Sequence, residues 1–126
     1  MSIARILIIE DNDVLRRMLR TALSKAGYAV TEASGGKSGL ASYRQDPFDI
    51  VITDILMEDI EGLETIGELR RDYPQVKIIA MSGGRGQSNY LELAEQLGAR
   101  RTLEKPFPLD QLVAAVREVL AESASD

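Results

Sequence analysis

Three short segments of this chain are almost wholly apolar: ILII at 6–9, DIVIT at 49–53 and KIIAM at 77–81. Runs of that length, rich in β-branched residues, suit strands covered on both faces within a parallel sheet. YAVTEA at 28–33 alternates instead, which predicts a strand nearer an edge. RTLEK at 101–105 is a weaker fifth candidate.

Helical patterns fill the intervals. Leu15, Met18, Leu19, Ala22, Leu23 and Ala26 follow helical spacing, with Asp13 as the expected N-cap and Gly27 as the stop. Further helices are predicted over 37–45, over 63–73 ahead of Pro74, and over 88–97 ahead of Gly98. In a fifth helix, Leu109, Leu112, Val113, Val116 and Leu120 share one face. The order is β-α repeated five times. It predicts an α/β fold with a parallel sheet, helices on both faces and right-handed crossovers. No linker or low-complexity stretch interrupts it, so one domain is expected over 1–126, its core about 4–120 and its tail, ESASD, frayed.

Composition narrows the chemistry. The chain has 126 residues, 44% hydrophobic and 28% charged, which suits one globular domain. It has no Cys and no His, so thiolate chemistry, imidazole bases and the commonest zinc ligand are excluded. No apolar run is long enough to cross a bilayer, and the N-terminus lacks a signal-peptide pattern. The expected location is cytoplasmic, with no membrane partner. A net charge of −5 argues against a nucleic-acid surface.

The strand ends are polar. The first runs into Glu10 and Asp11, the third into Thr53 and Asp54, the fourth into Ser82, Gly83 and Gly84, and the fifth into Lys105 and Pro106. Open α/β sheets bind ligands beyond the carboxyl ends of their strands. Three carboxylates, a hydroxyl and an ammonium would meet there. Two like charges about 4 Å apart repel by roughly 4 kcal/mol at an effective dielectric near 20. A carboxylate must therefore keep a proton, or a cation must bind. An all-oxygen donor set suits Mg²⁺.

In ILIIEDND, DIVITDILMEDIEGLE, IIAMSG and EKPF, in that order and at that spacing, the sequence resembles the receiver domain of bacterial two-component response regulators of the CheY-like kind, over about 4–120. The resemblance implies a doubly wound, flavodoxin-like fold of five strands ordered 2-1-3-4-5 with five helices. It implies Asp54 as phosphoacceptor, Mg²⁺ held by Glu10, Asp11, Asp54 and the Leu56 carbonyl, and Ser82 and Lys105 as partners of the phosphoryl oxygens. It also implies a cis Lys105–Pro106 peptide. A chain without His needs a phosphohistidine from elsewhere, on a histidine kinase or a histidine phosphotransfer protein. Helix one, with Arg16, Arg17 and Arg20, is read equally as a docking face for that donor and as a solvated face. The phosphorylated state would engage a protein target through the fourth helix and fifth strand.

The chain departs from the family pattern in four places. Glu58 replaces a common Pro, Gly83 follows Ser82 where Ala is favoured, Leu56 is apolar, and Thr102 stands where an aromatic residue usually rotates inward. Thr102 is too small for that role, which points to backbone movement in the SGGRGQ loop. A stand-alone regulator is the expectation, ahead of a receiver cut from a larger protein and of a phosphorylation-independent interaction module. A haloacid-dehalogenase-type phosphatase using Asp11 and Asp13 ranks last, because a helix starts at once and Asp54 would be idle.

Overall fold

The structure, a computed structural model, describes residues 3–55, 61–83 and 88–122. Ten elements alternate: β1 (Arg5–Ile9), α1 (Asp13–Lys25), β2 (Ala29–Ala33), α2 (Gly36–Gln45), β3 (Ile50–Asp54), α3 (Glu61–Asp72), β4 (Ile78–Gly83), α4 (Ser88–Leu97), β5 (Arg101–Lys105) and α5 (Leu109–Ala121). All strand pairs are parallel, in the order β2-β1-β3-β4-β5. This is the expected doubly wound, flavodoxin-like sheet.

The apolar runs build two cores because successive side chains on a strand leave opposite faces. Leu7, Ile9, Val51, Ile78 and Ala80 pack with Leu40, Leu63, Ile66, Leu69 and Ala94 under α2, α3 and α4. Ile6, Ile8, Ile52, Ile79 and Met81 pack with Leu19, Leu23, Leu112 and Val116 under α1 and α5. Each fully buried Ile or Leu contributes roughly 1.5–3 kcal/mol. The alternating β2 is an edge strand, as its pattern predicted.

Local differences have local causes. Asn12, not Asp13, caps α1: its backbone is still extended and its Oδ1 accepts the Leu15 N–H at 2.9 Å. Asp13 is the first helical residue and pairs with Arg16 at 2.7 Å. Met18 and Ala26, expected on the buried face of α1, are exposed; only Leu19 and Leu23 are fully covered. The strand β4 runs on through Ser82 and Gly83, which pair with Glu104 and Lys105. Gly27 and Gly98 end their helices at φ 101° and 117°, conformations that cost a residue with a Cβ.

Candidate functional site

The sheet order reverses between β1 and β3, so their carboxyl ends border a crevice. Glu10 follows β1 directly. Its N–H donates to the Ala33 carbonyl at 3.0 Å, and its Oε2 accepts the Asn12 N–H at 3.1 Å. The side chain is 1% exposed. Asp11 is next and is exposed. Asp54 closes β3 and is buried, while the following Ile55 N–H donates to the Met81 carbonyl at 2.9 Å.

Glu10, Asp11 and Asp54 can each present an oxygen within 4.8 Å of the others. Lys105 joins them from the end of β5. Its stem reaches past β4, and its ammonium donates to Glu10 Oε1 at 2.8 Å and Asp54 Oδ2 at 2.9 Å. One ammonium against three carboxylates leaves two negative charges, the charge of a divalent cation. An all-oxygen set with an exposed member, Asp11, fits Mg²⁺, which keeps part of its water shell.

Burial pushes the Glu10 carboxyl above its ordinary value; the hydrogen bonds from Lys105 and Asn12 oppose that, and Asp54 adds to it. Burial alone would lower the Lys105 ammonium. Its hydrogen bonds to Glu10 and Asp54 outweigh that and hold it above its ordinary value, hence charged. Among the described residues no buried side-chain nitrogen or oxygen lacks a partner.

Ser82 is fully buried, one residue beyond Met81, which pairs with Asp54; its hydroxyl donates to the Gly83 carbonyl at 3.3 Å. The Lys105–Pro106 peptide is cis, as the resemblance implied. Leu56, Glu58 and the loop residues 84–87 lie outside the described residues. The structure therefore brings Glu10, Asp11, Asp54 and Lys105 together and sets Ser82 on the strand beside them. Asp13, the second acid of the phosphatase reading, is instead an exposed first-turn residue paired with Arg16.

Sequence reasoning missed two contributors. Gly62, in the first turn of α3, lies against the phosphoacceptor strand: a Cβ there would sit 2.2 Å from the Asp54 carbonyl oxygen. Gly62 stands just ahead of the helix predicted over 63–73, so nothing in the sequence signals this contact. Arg16 is the other. Its side chain is only 12% exposed and donates to Glu32 Oε1 at 3.0 Å and to the Glu10 carbonyl at 2.9 Å. Arg17 and Arg20 are exposed, and Val14 and Met18 form an exposed apolar strip beside Arg17 on α1.

A doubly wound sheet with an acidic crevice at its switch point and a lysine closing it defines a class of protein. Comparison with known proteins gives the class its family. A family model described as the response regulator receiver domain matches residues 6–117. The chemotaxis protein CheY of Thermotoga maritima is 35% identical over 116 residues, covering 91% of this chain and 96% of that protein. The transcriptional regulatory protein CseB of Streptomyces coelicolor is 36% identical, covering 91% of this chain but 48% of that protein. The solved receiver domain of NtrX from Brucella abortus superposes with a TM-score of 0.89 at 27% identity, covering 94% of this chain and 99% of that one. This chain belongs to the response regulator receiver domain family and is CheY-like.

Proposed function

We propose that this chain is a phosphorylatable switch that takes a phosphoryl group from a partner phosphohistidine onto Asp54. The observation that carries the reading is the Asp54 carboxylate, held 2.9 Å from the Lys105 ammonium inside a triad of carboxylates. An Asp54 oxygen attacks phosphorus as the P–N bond to the donor imidazole breaks, forming an aspartyl phosphate. Such transfers need positioning and charge neutralisation more than covalent help. Lys105 pairs with one phosphoryl oxygen and the Ser82 hydroxyl with another. Glu10, Asp11, Asp54 and, by resemblance, the Leu56 carbonyl would hold Mg²⁺, which supplies positive charge to the carboxylates and phosphoryl oxygens.

These 126 residues hold no His, so the phosphohistidine comes from outside them, on a histidine kinase or a histidine phosphotransfer protein. The apolar strip of Val14 and Met18 on α1 is its docking face. The added charge alters which partner binds, and the target meets the α4/β5 face; on α4, Leu93 and Leu97 are exposed. The setting is cytoplasmic. No helix among the described residues is long and apolar enough to cross a membrane.

Intact mass after incubation with Mg²⁺ and acetyl phosphate, beside an Asp54→Asn control, tests the reading. One added phosphoryl group, absent from the control, supports it. Modification that survives the control moves the acceptor elsewhere. No modification by acetyl phosphate or by a phosphohistidine donor leaves the phosphorylation-independent interaction module as the reading.

A further inference from the structure

Only three residues, 10–12, separate the end of β1 from the start of α1. Asp11 is the middle one. Its neighbours are fastened on every side. The Glu10 N–H bonds the β2 strand through the Ala33 carbonyl, and the Asn12 N–H bonds the Glu10 carboxylate. The Asn12 carbonyl accepts the Arg16 N–H at 2.9 Å. The remaining polar group, the Glu10 carbonyl, belongs to the peptide plane that leads into Asp11. It accepts from the Arg16 guanidinium at 2.9 Å.

The guanidinium is itself over-determined. Its Nε bonds Glu32 Oε1 at 3.0 Å, and one terminal nitrogen bonds Asp13 Oδ1 at 2.7 Å. The other oxygen of Glu32 is taken by Arg20 at 2.7 Å. Arg16 thus ties the edge strand β2, the first turn of α1 and the Glu10–Asp11 peptide into one rigid corner. A planar five-donor group is the side chain that can serve three acceptors in fixed directions; an ammonium is not.

We propose that Arg16 is a positioning residue for the Asp11 carboxylate, and that through it the chain sets its affinity for Mg²⁺. The inference rests on the reading of Asp11 as a metal ligand. Groups that orient ligands from behind typically govern metal affinity by roughly tenfold to a hundredfold. Charge predicts the opposite sign: a guanidinium near a cation site repels the cation, so its removal tightens binding if charge is all that matters. Position and charge are therefore separable in one titration.

The experiment is Mg²⁺ titration by calorimetry, well below each variant's unfolding midpoint, on the wild type, Arg16→Ala, Arg16→Lys and Arg20→Ala. The expected result is a wild type that binds, an Arg16→Ala variant about tenfold weaker and an Arg20→Ala variant close to wild type, since among the described residues the Arg20 guanidinium holds only Glu32. Arg16→Lys keeps the charge without the fork and is expected to weaken binding too; it carries the test if the alanine variant does not fold. The rate of phosphorylation by acetyl phosphate in Arg16→Lys should fall at low Mg²⁺ and recover toward wild type at saturating Mg²⁺. A merely destabilised protein would lose amplitude at both. Unchanged or tighter Mg²⁺ binding in the Arg16 variants overturns the inference and leaves the receiver reading standing. A wild type that binds no Mg²⁺ overturns the inference together with the reading of Asp11 as a metal ligand.

Discussion

Lys105 and Glu10 are 95 residues apart in the chain and 2.8 Å apart in the fold, with Glu10 buried and the lysine side chain 22% exposed. The same ammonium serves Asp54. Removing it leaves two buried carboxylates facing each other. Breaking a fully buried pair costs about 3–5 kcal/mol; with one partner partly solvated, Lys105→Met is expected to cost roughly 1–3 kcal/mol without Mg²⁺. Mg²⁺ should raise the thermal midpoint of this variant by more than it raises the wild type's, because the cation no longer competes with the ammonium. Scanning calorimetry with and without Mg²⁺ reads both. Equal shifts would mean that cation and ammonium do not share these carboxylates.

Glu10 is expected to make the stability of the metal-free protein fall as pH rises above the ordinary carboxylate range. Its carboxyl is raised from an ordinary value of 4.5, chiefly by burial. A raised acid favours folding where it is protonated in the fold. Its contribution is complete below the unfolded value and is lost as pH rises through the folded one. Glu32 and Glu122 act the other way: Arg20 and Arg100, respectively, foremost among their partners, lower them, so their contribution is lost as pH falls below the same 4.5. The windows do not overlap. Upward from pH 4.5, the Glu10 contribution to metal-free stability should decline while the Mg²⁺-induced gain grows, since the metal takes the ionised form. Glu10→Gln should flatten that limb and leave the acid limb intact. A Gln variant with the wild-type profile in both limbs would place the titration elsewhere.

Asp11 differs from its two companions in being exposed. Substitution there costs the metal-free protein little, within about 0.5 kcal/mol. A ligand that binds only the fold stabilises it by RT times the logarithm of one plus the ratio of free ligand to Kd, so weaker binding gives a smaller shift. Asp11→Asn should therefore keep the metal-free midpoint and lose most of the Mg²⁺-induced shift. Thermal denaturation over a Mg²⁺ series checks this. A full shift in the variant would put the metal outside the cluster.

The core was legible because its signal is local: ILII and its counterparts are buried on both faces, and the alternating 28–33 segment is an edge strand. That the Lys105 ammonium would meet the carboxylates was legible from the polar strand ends, but its pairing with Glu10 and Asp54 was not, since nothing in the order of residues states a distance across three strands. Asn12 and Asp13 are equally good caps by type, and only the point where β1 lets the backbone turn chooses between them. Arg16 sits on the polar side of a helical wheel. Its burial depends on Glu32, sixteen residues on, reaching back from an edge strand. Met18 has core spacing, yet the buried face of α1 is narrower than its apolar stripe.

Two glycines of α3 separate fold from site. At Gly62 a Cβ would lie 2.2 Å from the Asp54 carbonyl oxygen and 2.5 Å from the Ile55 Cα. Both are backbone atoms and cannot swing aside. At Gly67, in the same helix, a Cβ would meet nothing within 4 Å. Helix propensity favours alanine over glycine by about 1 kcal/mol at either position. Gly67→Ala should gain up to about that much stability. At Gly62 the overpacking cost, about 1–3 kcal/mol, opposes and exceeds it. The relief must come from moving α3 away from β3, or from moving the peptide that follows the Asp54 side chain. Gly62→Ala is thus expected to be less stable than wild type and slower to accept phosphate from acetyl phosphate at saturating Mg²⁺, while Gly67→Ala reacts at the wild-type rate. Urea unfolding with intact-mass kinetics on the pair decides it. A Gly62→Ala protein as stable and as reactive as Gly67→Ala would show that the helix can recede from Asp54 at no cost to the site.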